Sequence, residues 1–210
     1  MGSNRTVRYS RRTFLTQSLI ALSLFVAVVA TAAPRRDLLA YWAFNCFTTC
    51  GNANFNPETV SQSTASMSSS FEPDAGANES GTTLNSVSPY EARAALTLRA
   101  GTGGINNGRD VTWRVDASGA SGLQISFATR RSAGGFASNQ FQYSSDGATF
   151  VNFGQPFNPG SEYSVVSFDL RHVRGLGNNP SAAFRIVFQS GSTINAGEYC
   201  LIDNLEVVAK

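Results

Sequence analysis

One histidine, three cysteines and one inward-placed aspartate are the side chains of this 210-residue sequence with most chemistry to offer. His172 sits in Arg171-His172-Val173-Arg174, directly after an alternating apolar run. A histidine between arginines reads as a turn residue rather than a general base. No G-x-S-x-G elbow, H-E-x-x-H pair or Cys-His signature accompanies it. Paired carboxylates of the glycosidase kind converge only in space, so a hydrolase with a diffuse site stays open as a minor reading. The main reading is non-catalytic.

Cys46, Cys50 and Cys200 suit one disulfide and one thiol in an exported protein. Cys46 and Cys50 enclose Phe47-Thr48-Thr49, a loop short enough to bridge locally. The rival joins Cys46 or Cys50 to Cys200, closing nearly the whole domain; chain entropy makes that bridge worth up to about 5 kcal/mol. The short bridge is preferred and the long one stays open. A metal centre lacks its fourth soft ligand.

Asp203, in Ile202-Asp203-Asn204-Leu205, shares a strand face with Leu201, Leu205 and Val207, which points a carboxylate inward. A buried charge requires a partner. That partner is an arginine, a set of backbone amides, or a structural Ca2+ ligated by oxygens such as that of the Asn45 side chain. The competing reading is a β-bulge that turns Asp203 outward.

Aromatic side chains can stack on sugars. Trp42, Phe44, Trp113 and Phe127 lie in apolar or alternating runs and read as core, whereas Tyr90, Phe136 and Phe157 lie in polar or glycine-rich surroundings and are the ligand-platform candidates. Arg130-Arg131 reads as a solvated pair or an edge guard. The glycine-rich stretch 100–108 lacks the Lys-Ser/Thr that a phosphate loop requires.

These residues need strands to position them. Val111/Trp113/Val115, Leu123/Ile125/Phe127, Val166/Phe168/Leu170 and Phe184/Ile186/Phe188 alternate with polar neighbours, the pattern of half-buried strands. Residues 38–47 and 199–208 read as continuously apolar first and last strands. Segments 140–144 and 149–153 flank Asp146-Gly147, a hairpin signal. No stretch holds helical periodicity for three turns. Eight or so strands with polar turns predict an all-β, antiparallel, jelly-roll-like sandwich in a single domain over 33–210. Residues 48–70, rich in Ser and Thr, are expected to form a long loop.

The first 32 residues differ in kind. Ser10-Arg11-Arg12-Thr13-Phe14-Leu15-Thr16 resembles the twin-arginine export consensus, with Arg11, Arg12, Phe14 and Leu15 in register and a threonine where lysine is usual. The alternative is an ordinary Sec signal with a chance arginine pair. The apolar run 19–30 is shorter than the ~20 residues that span a bilayer, and Ala30-Thr31-Ala32 gives the small-x-small pattern for cleavage between Ala32 and Ala33. Residues 1–32 hold four of the 16 basic side chains and none of the 14 acidic ones, so their removal turns a net charge of +2 into −2. The remaining chain has no basic stripe for nucleic acid and no membrane span. Its expected partners are the twin-arginine translocase and signal peptidase during export, and its expected address is the periplasm, cell surface or medium.

Trp42-Ala43-Phe44-Asn45, Phe127-Ala128-Thr129-Arg130-Arg131, Tyr143-Ser144-Ser145-Asp146-Gly147, Asn179-Pro180 with Ala183 to Phe188, and Ile202-Asp203-Asn204 occur in this order. Together they resemble a module of many exported bacterial proteins, similar in layout to jelly-roll carbohydrate-binding modules and galactose-binding-like domains. The resemblance spans about residues 39–208. It implies a sandwich, a glycan ligand, and a calcium role for a late-strand aspartate such as Asp203. The functional expectation is an exported module that binds extracellular or envelope glycan; the alternative is a structural or adhesive envelope protein making protein contacts.

Overall fold

A computed structural model describes residues 37–45, 59–60, 64–72 and 79–210. All of them belong to the compact unit Ala33–Lys210. The export-signal residues Arg11, Arg12, Phe14 and Leu15, the cleavage pair Ala32 and Ala33, and Cys46 and Cys50 lie outside the described residues.

Eleven strands are described: β1 (Leu38–Trp42), β2 (Thr59–Val60), β3 (Ala65–Ser69), β4 (Leu96–Arg99), β5 (Asp110–Val115), β6 (Leu123–Arg131), β7 (Ser138–Ser144), β8 (Val151–Asn152), β9 (Ser164–Asp169), β10 (Ala182–Gln189) and β11 (Tyr199–Ala209). They form two antiparallel sheets. One runs β2-β1-β11-β6-β9, with β4 also paired to β11; the other runs β3-β5-β10-β7-β8. The fold is an all-β sandwich. Among the described residues no helix is long and apolar enough to cross a membrane.

Alternation builds the interior. Val111, Trp113 and Val115 of β5 lie beside Ile186, Phe184 and Ala182 of β10 in one sheet, and Leu123, Ile125 and Phe127 of β6 close the core from the other. Trp42, Trp113 and Phe127 are fully enclosed, as expected, and Phe44 nearly so. The eleven-residue β11 is the middle of its sheet. Its first half pairs with β4, its second half with β1, and its other edge with β6.

Three expectations change. Residues 48–70 are not one loop, because they contain β2 and β3. Ser66, Met67 and Ser68 alternate so that Met67 enters the core opposite Trp113 while the serines face out, a pattern that an edge strand tolerates. The first strand stops at Trp42, since Phe44 takes a positive φ of 53° and breaks the ladder. The segment expected as a strand over 149–153 shrinks to Val151–Asn152, because Asp146 draws the amides of Ala148 and Thr149 into the turn.

Candidate functional site

The outward positions of the five-stranded sheet carry an unbroken polar row. The register places Ser68 of β3 beside Thr112 of β5, Thr112 beside Arg185 of β10, Arg185 beside Gln142 of β7, and Gln142 beside Asn152 of β8. Each sits where the pleat sends the side chain away from the core, since the neighbours Phe184, Ile186, Phe141 and Trp113 point inward. One residue from every strand therefore meets at the same level.

Arg185 is the centre of the row and is held on several sides. Its Nε donates to Gln142 Oε1. Its guanidinium lies 3.5 Å from Asp110 Oδ2, with both side chains about three-quarters buried. Phe150 supplies a floor, its ring centroid 4.2 Å from Arg185 Cζ. Gln142 Nε2 passes the chain of hydrogen bonds on to Asn152 Oδ1 at 2.6 Å. A planar, pre-oriented set of donors and acceptors results, and its rotamer entropy is already spent before any ligand arrives. Beside it, Thr64, Ser66, Arg114, Asp116 and Pro180 line an open depression. None of Gln142, Phe150 or Arg185 stands out in the sequence, although the outward phase of β7 and β10 is the signal that could have found them.

The aromatic candidates do not assemble into a platform. Phe136 is wholly buried, edge-on to Phe71 at 5.8 Å and to Phe188 at 5.9 Å. Its glycine neighbours mark a close approach rather than exposure: a Cβ on Gly135 would lie 2.2 Å from the Tyr199 carbonyl oxygen. Phe157 is half-buried against Phe127 and Phe168. Tyr90 stacks obliquely on Tyr41 at 5.2 Å, on the outside of the other sheet.

Asp203 stays buried, and a bulge is present as well. The register of β11 against β6 slips between Asp203 and Glu206, with Asn204 at φ 51°. Backbone amides are among the partners of the carboxylate: Thr82 N donates to Oδ2 at 2.7 Å and Asn204 N to Oδ1 at 2.9 Å. Asn204 uses the bulge to reach outward, donating to the carbonyls of Thr82 and Leu84. Asn85 returns a hydrogen bond to the Asn204 carbonyl. These bonds fasten the segment from Gly81 to Val87 over the sheet. Asn45 ties down the following stretch instead, accepting from Ala94 N and donating to the Glu91 carbonyl.

That arrangement does not fit a calcium cage built on Asn45 and Asp203. Calcium takes six to eight oxygens, whereas the Asn45 oxygen and both Asp203 oxygens already accept amide hydrogens. Among the described residues no three acidic, histidine or cysteine side chains converge.

Other candidates resolve into packing. Cys200 is a buried free thiol, 3.6 Å from Thr129 Oγ1, so the long bridge to Cys200 is absent. Burial pushes this thiol up to about 12. His172 is exposed in a turn. Arg130 and Arg131 are partly buried, pairing with Leu201 and Cys200 of β11 just beyond the end of the β9 ladder, where Arg131 N donates to the Gly160 carbonyl at 2.8 Å. Arg130 stacks between Tyr163 at 5.2 Å and Tyr199 at 5.9 Å, while Arg131 is spent on Asn158 and the loop carbonyls.

Comparison with known proteins finds no matching family model and no matching curated protein. Among solved structures the chain is similar to the TmCBM61 module in complex with β-1,4-galactotriose (10% identity, 70% of this chain and 90% of that one, TM-score 0.40). It is also similar to CpGH89CBM32-5 from Clostridium perfringens in complex with GalNAc-β-1,3-galactose (18% identity, 70% and 94%, TM-score 0.40). A third is the K2 cleaved adhesin domain of Lys-gingipain (14% identity, 59% and 76%, TM-score 0.39). At these scores the likeness assigns neither ligand nor site residue to this chain.

Proposed function

We propose that this domain is a non-catalytic, exported glycan-binding module that reads a sugar chain through the outer face of its five-stranded sheet. The observation that carries the reading is the row Ser68, Thr112, Arg185, Gln142 and Asn152, one residue from each strand. A sugar offers adjacent hydroxyls, each able to donate and accept at once. Fixed planar groups such as Arg185, Gln142 and Asn152 can engage two of them together.

Catalysis is disfavoured on this face by spacing. Asp110 and Asp116 lie six positions apart along one strand direction, about 20 Å at the rise of an extended chain, while glycoside hydrolysis needs carboxylates within about 10 Å of each other. Export rests on the twin-arginine motif at Arg11 and Arg12 and the cleavage pattern before Ala33, with the translocase and signal peptidase as transient partners.

Glycan-array binding tests the reading. Arg185→Ala should weaken binding ten- to a hundredfold, in line with losing charge-assisted hydrogen bonds worth about 1.5–3 kcal/mol. Gln142→Ala should follow in the same direction. Phe150→Ala should cost about two- to fivefold, the size of one exposed cation–π contact. Silence across neutral and acidic glycans alike would remove the reading.

A second reading, an adhesive protein making protein contacts, has one observation in its favour. Strand β9 is the outer edge of its sheet and leaves Val165 about half exposed, the kind of edge that accepts another strand.

A further inference from the structure

The same face also limits which glycan fits, and three features bear on this: charge, ring exposure and width. Charge comes first. The face carries two cations, Arg114 and Arg185, against Asp110 on the same strand as Arg114, Asp116 just beyond it, and Asp146 in the turn after β7. In that turn the Gly147 carbonyl accepts from Arg114 at 3.3 Å and Asp146 accepts from the Ser144 hydroxyl at 2.8 Å. Asp110 sits within 3.5 Å of Arg185, so an acidic sugar approaching that guanidinium meets a carboxylate too. Arg114 shares its depression with Asp116, whose carboxylate accepts from the Ser118 amide at 2.8 Å. A uronate thus gains no net attraction on arrival.

Ring exposure comes second. Phe150 is the aromatic side chain of this face, and the Arg185 guanidinium already covers its ring at 4.2 Å. The other outward strand positions are polar apart from Ala183 and Val187 of β10, and none holds an aromatic ring that could stack on a sugar. Recognition here therefore runs through hydrogen bonds.

Width comes third. Five strands leave four gaps of ~4.8 Å, about 19 Å from Ser68 to Asn152. A β-linked pyranose advances by about one such gap, roughly 5 Å, so the row offers about four sugar places.

Resting on the glycan reading above, we infer that this face takes an uncharged oligosaccharide of about four units laid across the strands, held by hydrogen bonds without ring stacking.

Isothermal titration of the purified protein with cello-, xylo-, manno- and galacto-oligosaccharides of increasing length, and with oligogalacturonates, tests it. The expected result is an affinity for at least one neutral series that climbs with each added unit and levels off near four. That affinity should change less than about twofold between low and roughly 0.5 M salt, where exposed charges are screened. A plateau already at one or two units, or a preference for oligogalacturonate that salt abolishes, overturns the inference while leaving glycan binding intact. If Arg185→Ala leaves the affinity of a bound series unchanged, this face is not the site, and the reading beneath the inference falls as well. Absence of heat with every neutral and acidic series overturns both.

Discussion

The Tyr41 hydroxyl donates to Asn204 Oδ1 at 2.6 Å, joining the first strand to the bulge of the last across 163 positions of sequence. The same hydroxyl accepts from Val87 N at 3.3 Å. One phenol thus ties together two strands and the segment that covers them. Gly81 makes the close approach possible, because a Cβ there would fall 2.5 Å from Asp203 Oδ2.

Removing this fastening should be costly. Asn204→Ala deletes the side-chain bonds to Thr82, Leu84 and Tyr41, and it places a Cβ-bearing residue without local hydrogen bonds at a left-handed position. The expected loss is about 3 kcal/mol in urea unfolding, the scale of leaving buried partners unsatisfied. Asn204→Gly should lose somewhat less, since it keeps the backbone at ease. Tyr41→Phe should cost about 1–2 kcal/mol and be less than additive with Asn204→Ala. Amide exchange should speed up selectively over residues 81–87. Unchanged exchange there would show that the fastening is ornamental.

Calcium should be dispensable for this part of the fold. With the Asn45 oxygen and both Asp203 oxygens accepting amides, adding EDTA is expected to leave the melting temperature where it was. A melting point several degrees lower in chelator, restored by calcium, would show that the carboxylate serves a metal instead.

Cys200 should be inert while the protein is folded. The thiolate is the reacting species, and burial keeps this thiol protonated with a pKa of about 12. Iodoacetamide at about pH 8 should leave the Cys200 peptide unmodified in mass spectrometry until denaturant is added. Labelling of that peptide in native buffer, at the pace of a free thiol, would contradict the packing around Thr129.

Two surface aspartates should shape the acid limb of stability. Asp169 is lowered from 3.8 to about 2, first by the Arg171 side chain that grips both its oxygens. Asp146 is lowered by the amides of Thr149 and Ala148 and by the Ser144 hydroxyl. A carboxyl that binds protons less readily when folded supports the fold fully above its unfolded pKa and loses that support as pH falls toward the folded one. Asp169→Asn and Asp146→Asn should therefore lower the melting temperature at neutral pH; the gap to the unaltered protein should close between about pH 4 and pH 2 for Asp169 and persist to still lower pH for Asp146. Melting curves that stay parallel down to acid pH would count against both contacts.

How much of this was legible in the sequence depends on whether the cause is local. Alternation along one strand marks β5, β6, β9 and β10, because the pleat acts within a few residues. The serine-rich β3 escapes notice, since a single inward methionine among hydroxyls looks like a loop. Phe136 misleads for a related reason: Gly134 and Gly135 suggest an exposed turn, while in the fold Gly135 lets the Tyr199 backbone close in and Gly134 makes room for the Glu198 side chain. Asp203 was readable as a buried carboxylate needing a partner, but one of its amide donors, Thr82, lies 121 positions away. The polar row is the least legible element. Ser68, Thr112, Arg185, Gln142 and Asn152 become neighbours only through four cross-strand registers, and no linear spacing records them.

The place of β11 sets the order in which the protein can be completed. Strands β1, β4 and β6 all find their hydrogen-bonding neighbour in Tyr199–Ala209. A ribosome that has yet to release this stretch holds a chain with three open strand edges and a core missing Ile202, Leu205 and Val207. Such a topology acquires its contacts late and together, the slow regime for β proteins, and until then the exposed edges invite association with other chains.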